Sequence, residues 1–456
     1  MMKQNEHFCG FMTIIVHLWI YLDIKQVLSY DVRPQREKYT PNYGIYHNLS
    51  SINSVMQNLI KEHSNIIQDL SELYLSRDGN SQHVVHIGAN PYSNNSETVK
   101  ILLSFGEHAR EFLPIESLFY FLNIILQSKN EQDIDLKDFD VYVIVIANPD
   151  GRLHVEQTKN FCWRGTANGV DINRNFEWEF GGKGSSADKT DEEYRGPFAF
   201  SEPETRVYRQ LTKDVKFDAF LSLHSGIKQI YVPYADTKSK ATNREHENIA
   251  ELMKLAEILS TCTSYRYQYG KAADLNDYTA DGTVFDYMAG VKHIPFTYAI
   301  ELWGPERHTT PSCFDLFNPA NEQLKTVVEK IYPLYVNFFH YLLSWKKSKQ
   351  RGDNLINQPR FEKKEKNRNL QRMSVLFNEP YPPLYTMSKE DARSPRRTPE
   401  QSDSLLLEPV VLFSALLILM MILFSVKERV SIFRLLPHQR RIINLRNLGA
   451  SLPFLK

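Results

Sequence analysis

Four apolar runs of strand length do most to limit what this chain can fold into. They lie at 98–105 (TVKILLSF), 140–147 (DVYVIVIA), 217–223 (FDAFLSL) and 295–302 (PFTYAIEL). Uninterrupted apolar runs of this length suit strands buried on both faces, not strands with one wet side. Helical patterns fall between and after them, at 113–127, 203–214, 242–261 and 319–344. Ser201 and Glu204, with Pro203 between them, read as a capping-box start for the second of these helices. Such alternation predicts an α/β fold. One domain over 31–345 would carry a mixed, largely parallel central sheet with helices on both faces. No internal repeat of the solenoid class is present.

The segments outside that domain differ in composition. Residues 11–22 (FMTIIVHLWIYL) follow Lys3 and are shorter than the ~20 residues a membrane span needs, so 1–30 reads as a signal peptide cut near Ser29. A buried strand or an uncleaved anchor is the other reading. Residues 405–426 are apolar after Pro409 and long enough to cross a bilayer, which predicts one C-terminal transmembrane helix. The following 427–456 carry Lys427, Arg429, Arg434, Arg440, Arg441 and Arg446 against Glu428, which suits a cytoplasmic tail. Between domain and span, 346–404 is rich in Lys and Arg and then in Pro, and reads as a disordered stalk. The expected topology is a single-pass membrane protein with its folded domain luminal or extracellular. There Asn48-Leu49-Ser50 and Asn94-Asn95-Ser96 would be glycosylation acceptors.

Charge excludes one class of partner. Lys plus Arg and Asp plus Glu both number 54, so no overall field favours nucleic acid. Nothing in the sequence sets an oligomeric state. Cys9 falls in the leader, and Cys162, Cys262 and Cys313 match no structural zinc spacing. They allow one disulfide with one free thiol, or none.

The candidate chemistry gathers where the apolar runs end. Residues 106–111 read GEHARE, and His108 and Glu111 are spaced so that one turn aims both at a single ion. Alone, H-x-x-E is a common chance pattern and reads equally as a polar helix start. His224 ends the third run, just before Ser225-Gly226, and by itself reads as a core histidine. Glu301 closes the fourth run, where a carboxylate is costly unless paired or functional, which marks it as a candidate general base. All three places are carboxyl ends of expected strands, the edge at which open α/β sheets bind ligands. In 163–174 (WRGTANGVDINR), Arg164, Asn173 and Arg174 offer donors suited to an anionic group. Solvated loop arginines are the plainer reading. His86, His154 and His293 read as structural or surface residues.

With these residues in place the chain resembles the zinc metallocarboxypeptidases of the carboxypeptidase A type. The matching pieces stand in family order: H-A-R-E at 108–111, N-P-D-G at 148–151, W-R at 163–164, G-V-D-I-N-R-N-F at 169–176, F-S-E-P-E at 200–204, L-H-S-G at 223–226, Tyr278 in D-Y-T-A-D-G-T-V-F-D, and Glu301 in A-I-E-L. They cover about residues 45–343. The resemblance implies one Zn2+ per domain on His108, Glu111 and His224, a ligand set long known for this enzyme type. It implies Asp171 orienting His108, Asn173 and Arg174 gripping the terminal carboxylate of a peptide or protein, and Arg164 stabilising the oxyanion. Arg110 would contact the peptide further in, Tyr278 would close over the last residue, and Glu301 would act as general base on a zinc-bound water. It differs from secreted zymogens in leaving too little length for a prodomain after the leader, so activation by propeptide removal is not expected. Gly226 stands where digestive members place an aromatic, which suggests a more open cleft. Phe285, seven residues after Tyr278, is not an acid and tilts the expectation toward neutral or apolar terminal residues. Asp277, Asp281 and Asp286 lie near enough to keep that open.

Overall fold

The four apolar runs become the inner strands of one eight-stranded sheet in the computed structural model, which describes residues 40–90, 97–127, 134–305 and 312–351. The strands are β1 (Ile67–Asp69), β2 (Val84–Gly88), β3 (Val99–Phe105), β4 (Phe139–Ile144), β5 (Ala219–His224), β6 (Lys228–Val232), β7 (Gln268–Lys271) and β8 (Phe296–Leu302). Their order across the sheet is β1-β2-β4-β3-β5-β8-β6-β7. The central β4, β3, β5 and β8 run parallel, and β6 and β7 are parallel to each other. The pairs β1–β2, β2–β4 and β6–β8 are antiparallel. The sheet is therefore mixed and mostly parallel, as expected.

Side-chain alternation divides the core between the two faces. Ile101, Leu103 and Phe105 of β3 point to one apolar cluster, and Leu102 points to the other. On the first face lie α1 (Leu49–Glu62), α2 (Leu113–Gln127), α6 (Ile249–Thr261) and α10 (Leu324–Arg351). Phe338, Phe339 and Leu342 of α10 are fully enclosed there, each stabilising by roughly 1.5–3 kcal/mol. The second face carries α4 (Pro203–Asp214) and α8 (Val284–Gly290). The shorter helices are α3 (Pro149–Thr158), α5 (Thr237–Thr242), α7 (Ala272–Leu275) and α9 (Cys313–Phe317).

Local expectations fail where a distant partner competes. Ser201 does not cap α4. The N-cap is Glu202, without a side-chain cap, while Ser201 Oγ donates to Glu202 and accepts from Asn175 Nδ2, each at 2.9 Å. The helix expected over 242–261 is broken by Asn243, whose φ of 49° ends α5 before α6 begins. The last helix continues to Arg351, past the domain edge expected at 345, because Lys346 pairs with Asp218 at 2.8 Å. The leader, the stalk beyond Arg351, the apolar segment 405–426 and the basic tail lie outside the described residues, as does Asn94. Among the described residues no helix is long and apolar enough to cross a membrane.

Of the open cysteine alternatives, the described residues realise the one with a disulfide. Cys162 and Cys313 are joined across 151 residues with Cα atoms 5.0 Å apart, and Cys262 takes no part in that bond. Closing so long a loop stabilises the fold by about 4–5 kcal/mol on a chain-entropy count.

Glu204 at the start of α4 carries a pH dependence. Its side chain is enclosed; Oε1 accepts from the Arg77 N–H at 3.0 Å, and Oε2 has no hydrogen-bond partner among the described residues. Burial, reinforced by the Asp150 and Glu202 charges, pushes its carboxyl from 4.5 up to about 7. The folded state thus holds this proton more tightly than the unfolded chain. The associated stability is present below pH 4.5 and is lost as pH rises from there to about 7. Glu204→Gln is expected to flatten this decline, so that its melting temperature exceeds that of wild type at pH 8 by more than at pH 5. A difference that stays constant with pH would contradict the assignment.

Candidate functional site

The carboxyl ends of β3, β5 and β8 converge as the sequence suggested. β3 ends at Phe105, and Gly106 then takes a φ of 66°, with Ile115 and Ile146 close enough to crowd any Cβ there. This turn delivers His108, and Glu111 N–H donates to His108 O at 3.2 Å to hold Glu111 beside it. His224 is the last residue of β5 and pairs in register with Glu301 of β8.

The three donors meet at one point. His108 Nδ1 lies 2.7 Å from Glu111 Oε1, and His224 Nδ1 lies 3.0 Å from Glu111 Oε2 and 3.1 Å from His108 Nδ1. All three side chains are buried, and among the described residues they form the one group of such donors able to hold a metal. Two imidazole nitrogens turned onto each other and onto a carboxylate crowd their lone pairs together. A four-coordinate cation with ligands at ~2 Å imposes spacing of this order and relieves that crowding. The donor set fits zinc, with a fourth position left over.

Other parts of the chain hold this loop rigid. Asn148 caps α3 at Gly151 N, 2.9 Å, and its Nδ2 donates to Glu107 O at 3.2 Å and Gly165 O at 2.9 Å. The buried Arg152 donates to the carbonyls of Ala109 and Glu111 at 3.4 and 3.3 Å, with its cation 3.6 Å from the Phe112 ring centre. From the other end of the chain, Asn318 Oδ1 accepts from Phe112 N and Leu113 N at 2.7 and 3.0 Å.

Asp171 is the hub between metal and arginines. It lies 3.4 Å from His108 Nε2, 2.8 Å from Arg164 Nε and 3.8 Å from Arg174 Nη1. It also accepts from Asn173 N at 2.9 Å and so starts the short 3-10 turn Ile172–Arg174. Burial would raise its pKa, but Arg164 and His108 outweigh burial and hold it well below the usual range. Arg164 loses less to burial than it gains from Asp171 and Glu111, and its pKa is raised. Glu111 is likewise held ionised against its burial by His108 and His224. His224 is raised against its burial by Glu111 and Glu107. Glu301 behaves oppositely. Its half-buried carboxyl is pushed up to about 7, by burial first and by the Glu111 charge second. Its Oε2 has no hydrogen-bond partner among the described residues.

Asn173 Oδ1 accepts from Val284 N at 2.9 Å, tying the 3-10 turn to α8. Arg174 reaches Gly184 O at 3.0 Å and Glu193 Oε1 at 2.9 Å. Arg110 pairs with Glu192 at 2.7 Å and lies over the Phe317 ring at 4.3 Å. Tyr278 stands in the loop between α7 and α8, 38% exposed. A Cβ on Gly226, whose φ is 152°, would stand 3.2 Å from Phe317, so that ring takes space the glycine leaves. Phe285 is buried, Asp281 accepts from Thr237 at 2.7 Å, and Asp286 accepts from Ala235 N at 2.9 Å.

Several residues at the site went unmarked in the sequence. Glu107 is buried behind His224, and Glu192 and Glu193 pair with two arginines. Glu107 was findable, because a charge between a buried strand and a ligand histidine needs a reason. Glu192 and Glu193 were not, because in sequence they read like any solvated acidic loop.

A profile of the zinc carboxypeptidase family matches residues 52–333. Human carboxypeptidase O is 28% identical over 322 residues, covering 66% of this chain and 82% of its own length. Zinc carboxypeptidase A 1 of Anopheles gambiae is 29% identical over 280 residues, covering 59% of this chain and 62% of its own. The crystal structure of carboxypeptidase A from Helicoverpa armigera superposes with a TM-score of 0.59 at 22% identity, over 73% of this chain and 82% of that one, and shows the same fold. With this match, the zinc ligands are His108, Glu111 and His224.

Proposed function

The chain belongs to the zinc carboxypeptidase family, and on that premise we propose how its residues share the work of removing the last residue of a peptide or protein. The observation that carries this reading is the position of Asp171, in contact with His108, Arg164 and Arg174. One buried carboxylate sets the metal, an oxyanion cation and a carboxylate cation at fixed separations.

The terminal carboxylate of the substrate binds Arg174, assisted by Asn173, and displaces Glu193 from the guanidinium. Tyr278 closes over the terminal residue, and Arg110 contacts the chain further in. Zinc, when bound, acidifies water and polarises the scissile carbonyl. Glu301 takes a proton from the attacking water as its oxygen bonds to the carbonyl carbon, and Arg164 compensates the charge on the carbonyl oxygen. The C–N bond then breaks, and Glu301 returns the proton to the leaving amine. The raised pKa of Glu301 supports this role, since a base near neutrality both accepts and returns a proton. The buried Phe285, with Asp281 and Asp286 committed to other partners, supports neutral or apolar terminal residues.

The Cys162–Cys313 disulfide supports an oxidising, secretory environment. We keep the organisation read from the sequence as part of the proposal: leader 1–30, catalytic domain from 31, stalk to 404, span 405–426 and cytoplasmic tail 427–456.

Blocked dipeptides with a free C-terminus, assayed beside their amidated twins, test the reading. Cleavage of the free acid alone, abolished by a chelator and restored by zinc, is the expected result. Equal cleavage of both twins would remove the exopeptidase assignment.

A further inference from the structure

We propose that Glu107 is a positioning residue for the metal: acting through Ser222, it holds His224 in the tautomer whose Nδ1 faces the ion. The proposal rests on the zinc ligand set described above. It concerns a carboxylate behind that set, which binds no metal itself.

Glu107 is 2% exposed. Its Oε1 accepts from Ser104 Oγ at 2.7 Å and from Ser222 Oγ at 2.8 Å, and the Tyr208 hydroxyl stands 3.4 Å away. Its Oε2 lies 3.2 Å from His224 Nε2. Ser222 Oγ is closer to that nitrogen, at 2.7 Å. Ser104 and Ser222 are register neighbours on β3 and β5, so Glu107 collects one hydroxyl from each of the two strands that lead into the site.

The direction of the protons follows from the chemistry of the groups. An ionised carboxylate only accepts hydrogen bonds. The Ser222 proton is therefore committed to Glu107, and Ser222 has only lone pairs to offer His224. Nε2 must then be the protonated nitrogen. A neutral imidazole with its proton on Nε2 carries its lone pair on Nδ1, the atom that faces Glu111 and His108. The same rule makes Tyr208 the donor to Ser104, 2.6 Å away. Every donor in the array points in toward Glu107, which leaves one tautomer at His224.

His108 has an equivalent support, with Nε2 3.4 Å from Asp171. Each ligand histidine is thus backed by an acid on the side away from the ion, an arrangement that fixes ring orientation and raises ligand basicity. Asp171 shares its charge with Arg164 and Arg174, whereas Glu107 is bonded by the neutral hydroxyls of Ser104 and Ser222. Glu107 therefore adds a second negative charge, beside Glu111, toward a divalent cation. A purely structural hub joining β3 and β5 would need the hydrogen bonds but not the charge or its acceptor-only character. Glutamine keeps the shape and can still accept both serine protons, yet it removes the charge and allows the array to reverse.

The test is zinc affinity of the full-length protein, measured by competition with a chromophoric chelator for wild type, Glu107→Gln and His224→Ala. Glu107→Gln is expected to bind zinc about 10–100-fold more weakly, with an unchanged melting temperature for the metal-free protein. Affinity lost in His224→Ala but kept within twofold in Glu107→Gln overturns the inference alone. Affinity untouched by His224→Ala overturns the ligand set and the inference with it. Should Glu107→Gln fail to fold, the zinc-loaded wild type decides the matter through its 15N-histidine NMR spectrum. A slowly exchanging Nε2–H at His224 is expected, and a proton on Nδ1 instead overturns the proposal.

Discussion

Replacing Glu301 by glutamine is expected to lower kcat by about 10²–10⁴-fold while zinc content stays at the wild-type level. Glutamine preserves the volume of a residue set in register beside His224 at the end of a central strand, so the fold has little reason to change. It cannot take a proton from water. The pH profile carries the same information. Glu301 must be ionised to act, so kcat/KM falls as pH drops through its pKa. Burial and Glu111 place that pKa at about 7 in the metal-free site. A bound divalent cation favours the ionised form and moves the limb lower, so the acid limb should lie at or below pH 7. Zinc-loaded Glu301→Gln should lose that limb along with its rate. Activity within tenfold of wild type, or an unchanged limb, would mean that another group carries the proton.

Arg164→Ala should cost about 10²–10³-fold in kcat and leave KM nearly unchanged. The reason is differential: charge on the carbonyl oxygen appears in the transition state and not in bound substrate. Arg164 is held for this task by Asp171, which takes its Nε at 2.8 Å and leaves the rest of the fork to other partners. Removing it strands a buried carboxylate, so lost stability has to be separated from lost catalysis. Added guanidinium ion makes the separation, since it can refill the cavity and recover part of kcat without repairing a misfolded chain. A variant whose loss lies wholly in KM would reassign Arg164 to substrate binding. Arg174→Ala is the useful contrast, because a carboxylate receptor should show its loss in discrimination between free acid and amide.

The sequence by itself determined the central strands and the residues at their ends. Runs such as FDAFLSL and PFTYAIEL leave few other folds open, since so much unbroken apolar surface must be covered on both sides. It also determined His108, Glu111, His224 and Glu301 as candidates, because polar side chains at the ends of such runs are costly without a purpose. The strands flanking the central four, β1, β2, β6 and β7, were not legible, being short and partly polar, with pairing supplied by neighbours. Ser201 was misread for a related reason: the backbone N–H it would have capped lost to the Asn175 side-chain amide, a donor that only the folded chain brings to it.

Tertiary structure alone decided how the candidates work together. Cys162 joins Cys313, Asn318 holds the turn after Glu111, and Glu193 reaches Arg174, all between segments whose contact no local pattern encodes. The same holds for Glu107. Its neighbour in sequence is His108, yet in space its charge is directed to His224, more than a hundred residues away. Side-chain chemistry is local and can be read one residue at a time. The electrostatic field at a site sums over everything the fold brings near, and it exists only once the chain has closed.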